Sequence, residues 1–127
     1  MRYLDRSYSL HVVANRELTM SKLPGRFLKF KDTYPKIFQA YETLGVAAAE
    51  SGPLNKKEIA LVKLGIASGA KLEGAVHSHT RRALEAGASS EEIRHVVLLS
   101  VTTLGFPSMM AVLSWVDEIL NGEPKKA

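Results

Sequence analysis

Apolar residues at helical spacing dominate the chain from residue 34 onward. Tyr34-Pro35 is typical of a helix start, and Ser51-Gly52-Pro53 is typical of a helix stop. The apolar stripe of this first helix consists of Ile37, Tyr41, Leu44 and Ala48. Residues 1–33 show little sustained periodicity, although 10–14 (LHVVA) has the composition of a short strand or an extended arm. The pattern therefore predicts an N-terminal arm over 1–33, followed by a helical domain.

Two capping patterns mark the starts of strongly apolar helices. Asn55 is followed three residues later by Glu58, and Ser89 is followed in the same way by Glu92. Each pair has the residue types and the spacing of a capping box. The run IALVKLGIA at 59–67 follows the first pair and is apolar almost all round, interrupted by a single lysine. This composition predicts a buried helix.

Two further helices complete the pattern. One runs from about 72 to 86 and is stopped by Gly87, a residue suited to the end of a helix. The other follows the joint Gly105-Phe106-Pro107, because proline is favoured in a first helical turn, and it ends at Asn121-Gly122.

These elements predict an all-α fold of five to six helices in a single domain over 34–121, with a short tail at 122–127. Two of the helices are apolar on most faces, which is more apolar surface than a small monomer can cover. We therefore expect a homo-oligomer, in which identical subunits share the cover.

Composition narrows the chemistry further. The 127 residues contain no cysteine, which excludes disulfides, zinc–thiolate sites and thiol peroxidase chemistry. No apolar run reaches the length of a membrane span, and the start MRYLDRSYSL does not resemble a signal peptide. We therefore expect a cytoplasmic protein with no membrane partner.

The net charge of +4 is concentrated in the N-terminal third of the chain. Residues 1–36 contain eight Lys and Arg against three acidic residues, whereas the remaining residues are close to balance. Such a segment can bind nucleic acid or an anionic surface, or it can pack on an acidic neighbouring subunit. Because no nucleic-acid recognition motif accompanies the charge, we do not expect a nucleic-acid partner.

Residues 72–82 (LEGAVHSHTRR) form the one stretch that concentrates ionisable groups beside small residues. On a helix, Glu73, His77 and Arg81 share one face at i, i+4 spacing, whereas His79 points to nearly the opposite side. A carboxylate beside an imidazole fixes its tautomer and raises its basicity, and an arginine can hold a substrate carboxylate. The alternative interpretation is an ordinary ladder of charged residues on a helix surface.

Metal and cofactor are not expected from this stretch. A single ion cannot take both His77 and His79 from a regular helix, so a metal site would need Glu73, His77 and further ligands from elsewhere, for example a neighbouring subunit. No recognisable pattern in the sequence supplies those ligands.

Residues 35–120 resemble the carboxymuconolactone decarboxylase / alkylhydroperoxidase D-like family. The features that carry the resemblance are a Glu-started apolar helix, the run His-Thr-Arg-x-Ala-Leu-x-x-Gly-Ala, an acidic cap, a second apolar helix and Gly-Phe-Pro. The resemblance implies an all-α fold that assembles into trimers or hexamers, with its site near the His-bearing helix.

The chain departs from the peroxidase members of that family, which carry C-x-x-C-x-x-x-H. Counting back from His79, their cysteines fall on Leu72 and Ala75. This register is preferred, because the match continues unbroken downstream of His79. The absence of cysteine rules out their thiol mechanism.

A second register counts forward from Glu58, which resembles the acid at the start of the family's helix. It selects His77 and places the cysteine positions at Ala70 and Glu73. The turn at 68–70 can absorb the difference of two residues. Neither register provides a thiol.

The decarboxylase members of the family work without cysteine, which implies cofactor-free acid/base chemistry on a small carboxylated or lactone-type substrate, a lyase reaction. The hypothesis assigns His79 or His77 as proton donor, Glu73 as its orienting partner, Glu58 as a second acid and Arg81 as anion anchor. Glu58 also has the place of a capping-box carboxylate, and one residue can do both. Two alternatives stay open: a non-catalytic oligomer that binds a small molecule or a partner, and a metal-dependent variant.

Overall fold

The computed structural model describes residues 25–122, and within them every regular element is a helix. The predicted all-α fold is therefore confirmed. The helices are α1 (Gly25–Thr33), α2 (Pro35–Ala49), α3 (Lys56–Gly69), α4 (Glu73–Glu85), α5 (Ser90–Leu99) and α6 (Phe106–Leu120), with a 3-10 turn at Ser100–Thr102. Most of the predicted arm, its segment 10–14 and residues 123–127 of the predicted tail lie outside the described residues.

Residues 25–52 belong to the first of two compact units of the chain. Here α1 occupies 25–33, which the sequence pattern assigns to the arm, and it packs against α2. The contact is aromatic: the rings of Phe27 and Phe38 meet edge-to-face with centroids 5.4 Å apart. Lys31 Nζ lies 5.6 Å from the centroid of the same Phe38 ring. The weak periodicity of residues 25–33 does not predict this helix, and the contact of Phe27 with Phe38 on the next helix supports it.

The apolar stripe predicted for α2 does not form a core within the described chain. Ile37, Tyr41 and Leu44 are 59%, 58% and 67% exposed, whereas Phe38, on the neighbouring side of the helix, is buried. The stripe is therefore an apolar surface.

The second unit begins at residue 53 and contains α3 to α6. Both predicted capping boxes are present. Glu58 N donates to Asn55 Oδ1, and Asn55 N donates to Glu58 Oε1, each over 2.9 Å. Ser89 and Glu92 repeat the arrangement over 3.0 Å. Each box satisfies two backbone donors at a helix start, and so fixes where α3 and α5 begin.

The core of this unit lies between α3, α4, α5 and α6. Helix α4 packs against both α3 and α6, while α5 packs against α6 and α3. The side chains that are fully buried include Leu64, Val76, Ile93, Val97, Val112 and Val116. They come from all four helices, so α4 is held on more than one side by apolar packing.

Within the single chain, the helix predicted to be buried at 59–67 is covered on one side only, and whether further copies of the chain cover the other side stays a prediction. Leu64 is fully buried, but Val62 and Ile66 are 49% and 67% exposed on the other side of α3. On α5, Leu98 and Leu99 are exposed in the same way. When a helix is apolar on all sides, its sequence does not indicate which side packs against the rest of the same chain. None of the helices within residues 25–122 is long and apolar enough to cross a membrane.

Candidate functional site

Helix α4 carries both histidines of the candidate segment, and the two histidines have different surroundings. Its N-cap is Leu72, and Glu73 lies in its first turn, where a carboxylate interacts favourably with the positive end of the helix. Because successive helical residues are about 100° apart, His77 and His79 point in different directions.

His77 is paired with a residue that the sequence pattern does not select. Its Nε2 donates to Glu118 Oε2 on α6 over 2.8 Å, and the two side chains are 21% and 38% exposed. Glu73 lies one turn before His77 on α4. One ligand-type atom from each of Glu73, His77 and Glu118 lies within 4.8 Å of the others. We call these three residues the glutamate–histidine cluster.

The cluster provides an imidazole whose tautomer is set by a carboxylate. With the proton of Nε2 held by Glu118, the ring presents Nδ1 for proton exchange. Glu73, predicted as the orienting partner, lies beside this pair, but the 2.8 Å bond goes to Glu118. Two carboxylates and one imidazole are also ligands that a divalent cation accepts.

His79 lies in a different environment. Burial lowers its pKa from 6.5 to about 4, and the positive charges of Arg82 and Lys63 lower the pKa in the same direction. Its Nδ1 is buried and has no hydrogen-bond partner among the described residues. The His79 ring is therefore neutral near pH 7, which makes it unsuited to donate a proton as an imidazolium.

Two other predicted site residues lie outside the cluster. Glu58 is exposed in the first turn of α3, where its carboxylate completes the capping box. Arg81 lies one turn beyond His77 on α4 and is partly buried.

Glu118 was missed because it is 41 residues away from His77 in the sequence. A signal for it exists in α6, an otherwise apolar helix with one acidic pair, Asp117 and Glu118. Each carboxylate meets a basic group on another helix: Asp117 Oδ1 accepts from Arg94 Nε over 2.9 Å, and Glu118 accepts from His77. An acidic pair in an apolar helix is thus a signal that basic residues on other helices pair with it, but it does not identify those residues.

A shallow depression of about 270 Å³ is formed by residues that lie close to the cluster in the sequence. It is lined by Lys71, Pro107, Ser108, Ala111, Val112 and Trp115, and we call it the Trp115 depression. Trp115 precedes Glu118 by one turn of α6, and Lys71 precedes Glu73 by two residues. The depression is therefore built by the same two chain segments that build the cluster.

Lys71 has an unusual backbone conformation. Its φ of 54° lies in the left-handed region, which costs a residue with a side chain about 1–2 kcal/mol. The conformation closes α3, because Lys71 N donates to Ser68 O over 3.1 Å and Leu72 N donates to Ala67 O over 3.4 Å. Glycine is the usual residue at such a helix end. In this chain, the position is occupied by Lys71 instead of a glycine.

Comparison with known proteins identifies the family to which this chain belongs. The sequence profile of the carboxymuconolactone decarboxylase family matches residues 35–118. This match covers most of the chain, so the protein belongs to the carboxymuconolactone decarboxylase family.

Two solved structures are similar to the chain. A carboxymuconolactone decarboxylase family protein from Legionella pneumophila, in its apo form, has a TM-score of 0.69 and 20% identity, covering 85% of this chain and 96% of that one. A candidate carboxymuconolactone decarboxylase from Burkholderia xenovorans LB400 has a TM-score of 0.63 and 22% identity, covering 85% of this chain and 87% of that one. At these identities the similarity shows the fold.

One relative by sequence is an uncharacterized protein of Haemophilus influenzae strain Rd. It is 42% identical over 50 residues, which are 39% of this chain and 44% of the relative. The match thus spans less than half of the relative's length.

Proposed function

We propose that this member of the carboxymuconolactone decarboxylase family catalyses cofactor-free proton transfer on a small carboxylated or lactone-type substrate, with His77 as the proton donor. The supporting observation is the 2.8 Å hydrogen bond between His77 Nε2 and Glu118 Oε2, with the Glu73 carboxylate beside it. The partly exposed His77 ring can reach a substrate at the surface, while the carboxylate fixes its orientation.

The proposed reaction follows from this arrangement. The bond from the substrate to its carboxylate breaks, carbon dioxide leaves, and the electron pair moves into a neighbouring carbonyl group to form an enolate. Protonated His77 then delivers its Nδ1 proton to the carbon, and water restores that proton afterwards. Glu118 holds Nε2 throughout and stabilises the protonated ring electrostatically. The role of Glu73 is to add negative charge beside the ring.

The function is tested by incubating the untagged protein in D2O with a panel of carboxy-lactones and β-keto acids. Proton NMR then follows the loss of substrate and the incorporation of deuterium at the carbon that lost carbon dioxide. We expect turnover by the wild-type protein and none by the double variant His77→Gln/Glu118→Gln.

The matched control is His95→Gln, which replaces an exposed histidine on α5 that is not part of the cluster. We expect this variant to retain the wild-type rate. If the panel gives no turnover, or if the double variant is as active as the wild type, the catalytic proposal fails. The non-catalytic alternative, an oligomer that binds a small molecule, would then take its place.

A second candidate function is metal-dependent, and the cluster itself favours it. One ligand-type atom from each of Glu73, His77 and Glu118 lies within 4.8 Å of the others, and carboxylate oxygens and imidazole nitrogens are ligands of divalent cations. Glu118 supplies a third ligand-type group from within the same chain. Titration of untagged protein with Zn²⁺ or Mn²⁺ by calorimetry tests this: we expect binding with one-to-one stoichiometry that is lost in Glu118→Ala. Absence of such binding excludes the metal-dependent candidate.

We also propose that the exposed apolar faces are covered by further copies of the chain, as a trimer or a hexamer. The support is the exposure of Val62 and Ile66 on α3 and of Leu98 and Leu99 on α5. Light scattering coupled to gel filtration measures the mass, and we expect Ile66→Glu to lower it. A monomeric wild-type protein would refute this assembly.

A further inference from the structure

The geometry points to the Trp115 depression as a binding site for a small aromatic carboxylate. The inference rests on the proposed function in one respect only, since it names the class of molecule presented to the neighbouring cluster. The binding itself is a property of the depression and is independent of any catalytic step.

The apolar wall of the site is a stripe of α6. Ser108, Ala111, Val112 and Trp115 recur at i, i+3, i+4 and i+7 and so face one way over two turns. Trp115 is only partly buried, so part of its indole remains available to the depression. A flat aromatic ring can stack on an indole, and the remaining lining is aliphatic apart from Ser108 and Lys71. The site therefore suits a molecule with a planar apolar body.

The polar end of the site suits an anion. Lys71 is the one charged residue of the lining, and none of the described residues that line the depression is acidic. Pro107 and Ser108 belong to the first turn of α6, whose N-cap is Gly105 and therefore offers no side chain as a cap. The positive end of this helix adds to the charge of Lys71.

The backbone of Lys71 supports a role for its side chain. A lysine at φ 54° is less stable there than a glycine, which closes a helix in this way without strain. A charged residue thus stands in the lining at the expense of local stability, which is a frequent property of functional positions.

Fluorescence provides a direct test, because Trp115 is the only tryptophan of the chain. Sodium benzoate is titrated into the full-length protein, and benzamide serves as the uncharged probe of the same shape. We expect a saturable change in the tryptophan emission with benzoate. The affinity for benzamide should be roughly tenfold lower, which is the effect of losing one charge-assisted contact.

The decisive variant is Lys71→Gly, which removes the ammonium and relieves the backbone, so we expect it to fold with an unchanged or higher Tm. Its affinity for benzoate should fall about tenfold, to the level of benzamide, whereas Lys71→Arg should stay within about threefold of the wild type. The matched control is Lys56→Gln, which removes one charge at the other end of α3, about 20 Å away along the helix. It should bind benzoate as the wild type does.

Two results would overturn the inference: a wild-type emission that does not change saturably with benzoate, or a Lys71→Gly variant that binds benzoate as tightly as the wild type. Failure of the binding site and failure of the proposed function can be told apart, because His77→Gln leaves the lining of the depression intact. If benzoate binds to wild type and His77→Gln alike while no substrate turns over, the site stands and the catalytic proposal fails.

Discussion

His77 and His79 lie two residues apart on one helix and have opposite surroundings. His77 is partly exposed and is held by Glu118 over 2.8 Å, with a second carboxylate beside it. His79 has a buried Nδ1 with no hydrogen-bond partner among residues 25–122, and burial, together with two cationic neighbours, lowers its pKa to about 4. A helix separates side chains at i and i+2 onto different faces, so each histidine meets different neighbours.

The difference shows that the neighbours, rather than the residue type, decide what a histidine can do. Burial, together with the charges of Arg82 and Lys63, lowers the pKa of His79 and favours its neutral ring, whereas His77 is partly exposed and hydrogen-bonded to Glu118. The family resemblance, in its preferred register, points to His79. The low pKa of His79 speaks against that residue, so the proposed proton donor is His77, which is hydrogen-bonded to Glu118.

The largest effect is expected on catalysis. Replacing a general acid typically costs about 10²–10⁴-fold in rate, so His77→Gln should lose that much in kcat on whichever carboxy-lactone or keto acid the protein turns over. His79→Gln should change kcat by less than about tenfold. Steady-state kinetics with both variants checks this. The reverse order, with His79→Gln the more damaged variant, would return the proton donor to the family register.

A smaller effect is expected on the pH dependence of stability. Between pH 6.5 and about 4 the unfolded chain binds a proton at His79 that the folded chain does not, so the free energy of unfolding falls as the pH drops through this range. Because the ring is partly solvated, we expect a loss of about 1–2 kcal/mol rather than the full value that the pKa difference would give. Urea unfolding at several pH values measures it.

The comparison for that measurement is His79→Asn, which cannot titrate. Its stability should fall less than that of the wild type on going from pH 7 to pH 4, because every other titrating group is retained. Two parallel curves would show that folding does not lower the pKa of His79.

The smallest effect distinguishes the two carboxylates of the cluster. Glu118→Ala should remove the preference for the Nε2-protonated tautomer of His77, whereas Glu73→Ala should retain it, because the observed bond goes to Glu118. The ¹⁵N chemical shifts of the imidazole report the tautomer. Each change should cost less than about 1 kcal/mol of stability, since the pair is partly exposed to solvent. An equal response to both substitutions would show that Glu118 has no special role.

Part of the fold could be predicted because the relevant signals are local. The capping boxes at Asn55 and Ser89 depend on residues three apart, and the turns at Gly87 and Gly105 depend on single residues that accept positive φ. Helix α1 was not predicted, because its support is the contact of Phe27 with Phe38 on another helix.

The candidate site was only half predictable for the same reason. Glu73 and His77 share a helix face by spacing alone, so their proximity follows from the order of residues. Glu118 comes from α6, and the packing of α4 on α6 is a tertiary event that no local pattern specifies.

The helical character of the protein, most of its helix boundaries and the exclusion of thiol chemistry all follow from the order and identity of its residues. The buried side of α3, the carboxylate partner of His77 and the position of Lys71 beside Trp115 became known only once the helices were packed together. Caps and spacing act over a few residues, whereas burial and the pairing of charges depend on which distant segments the core brings together.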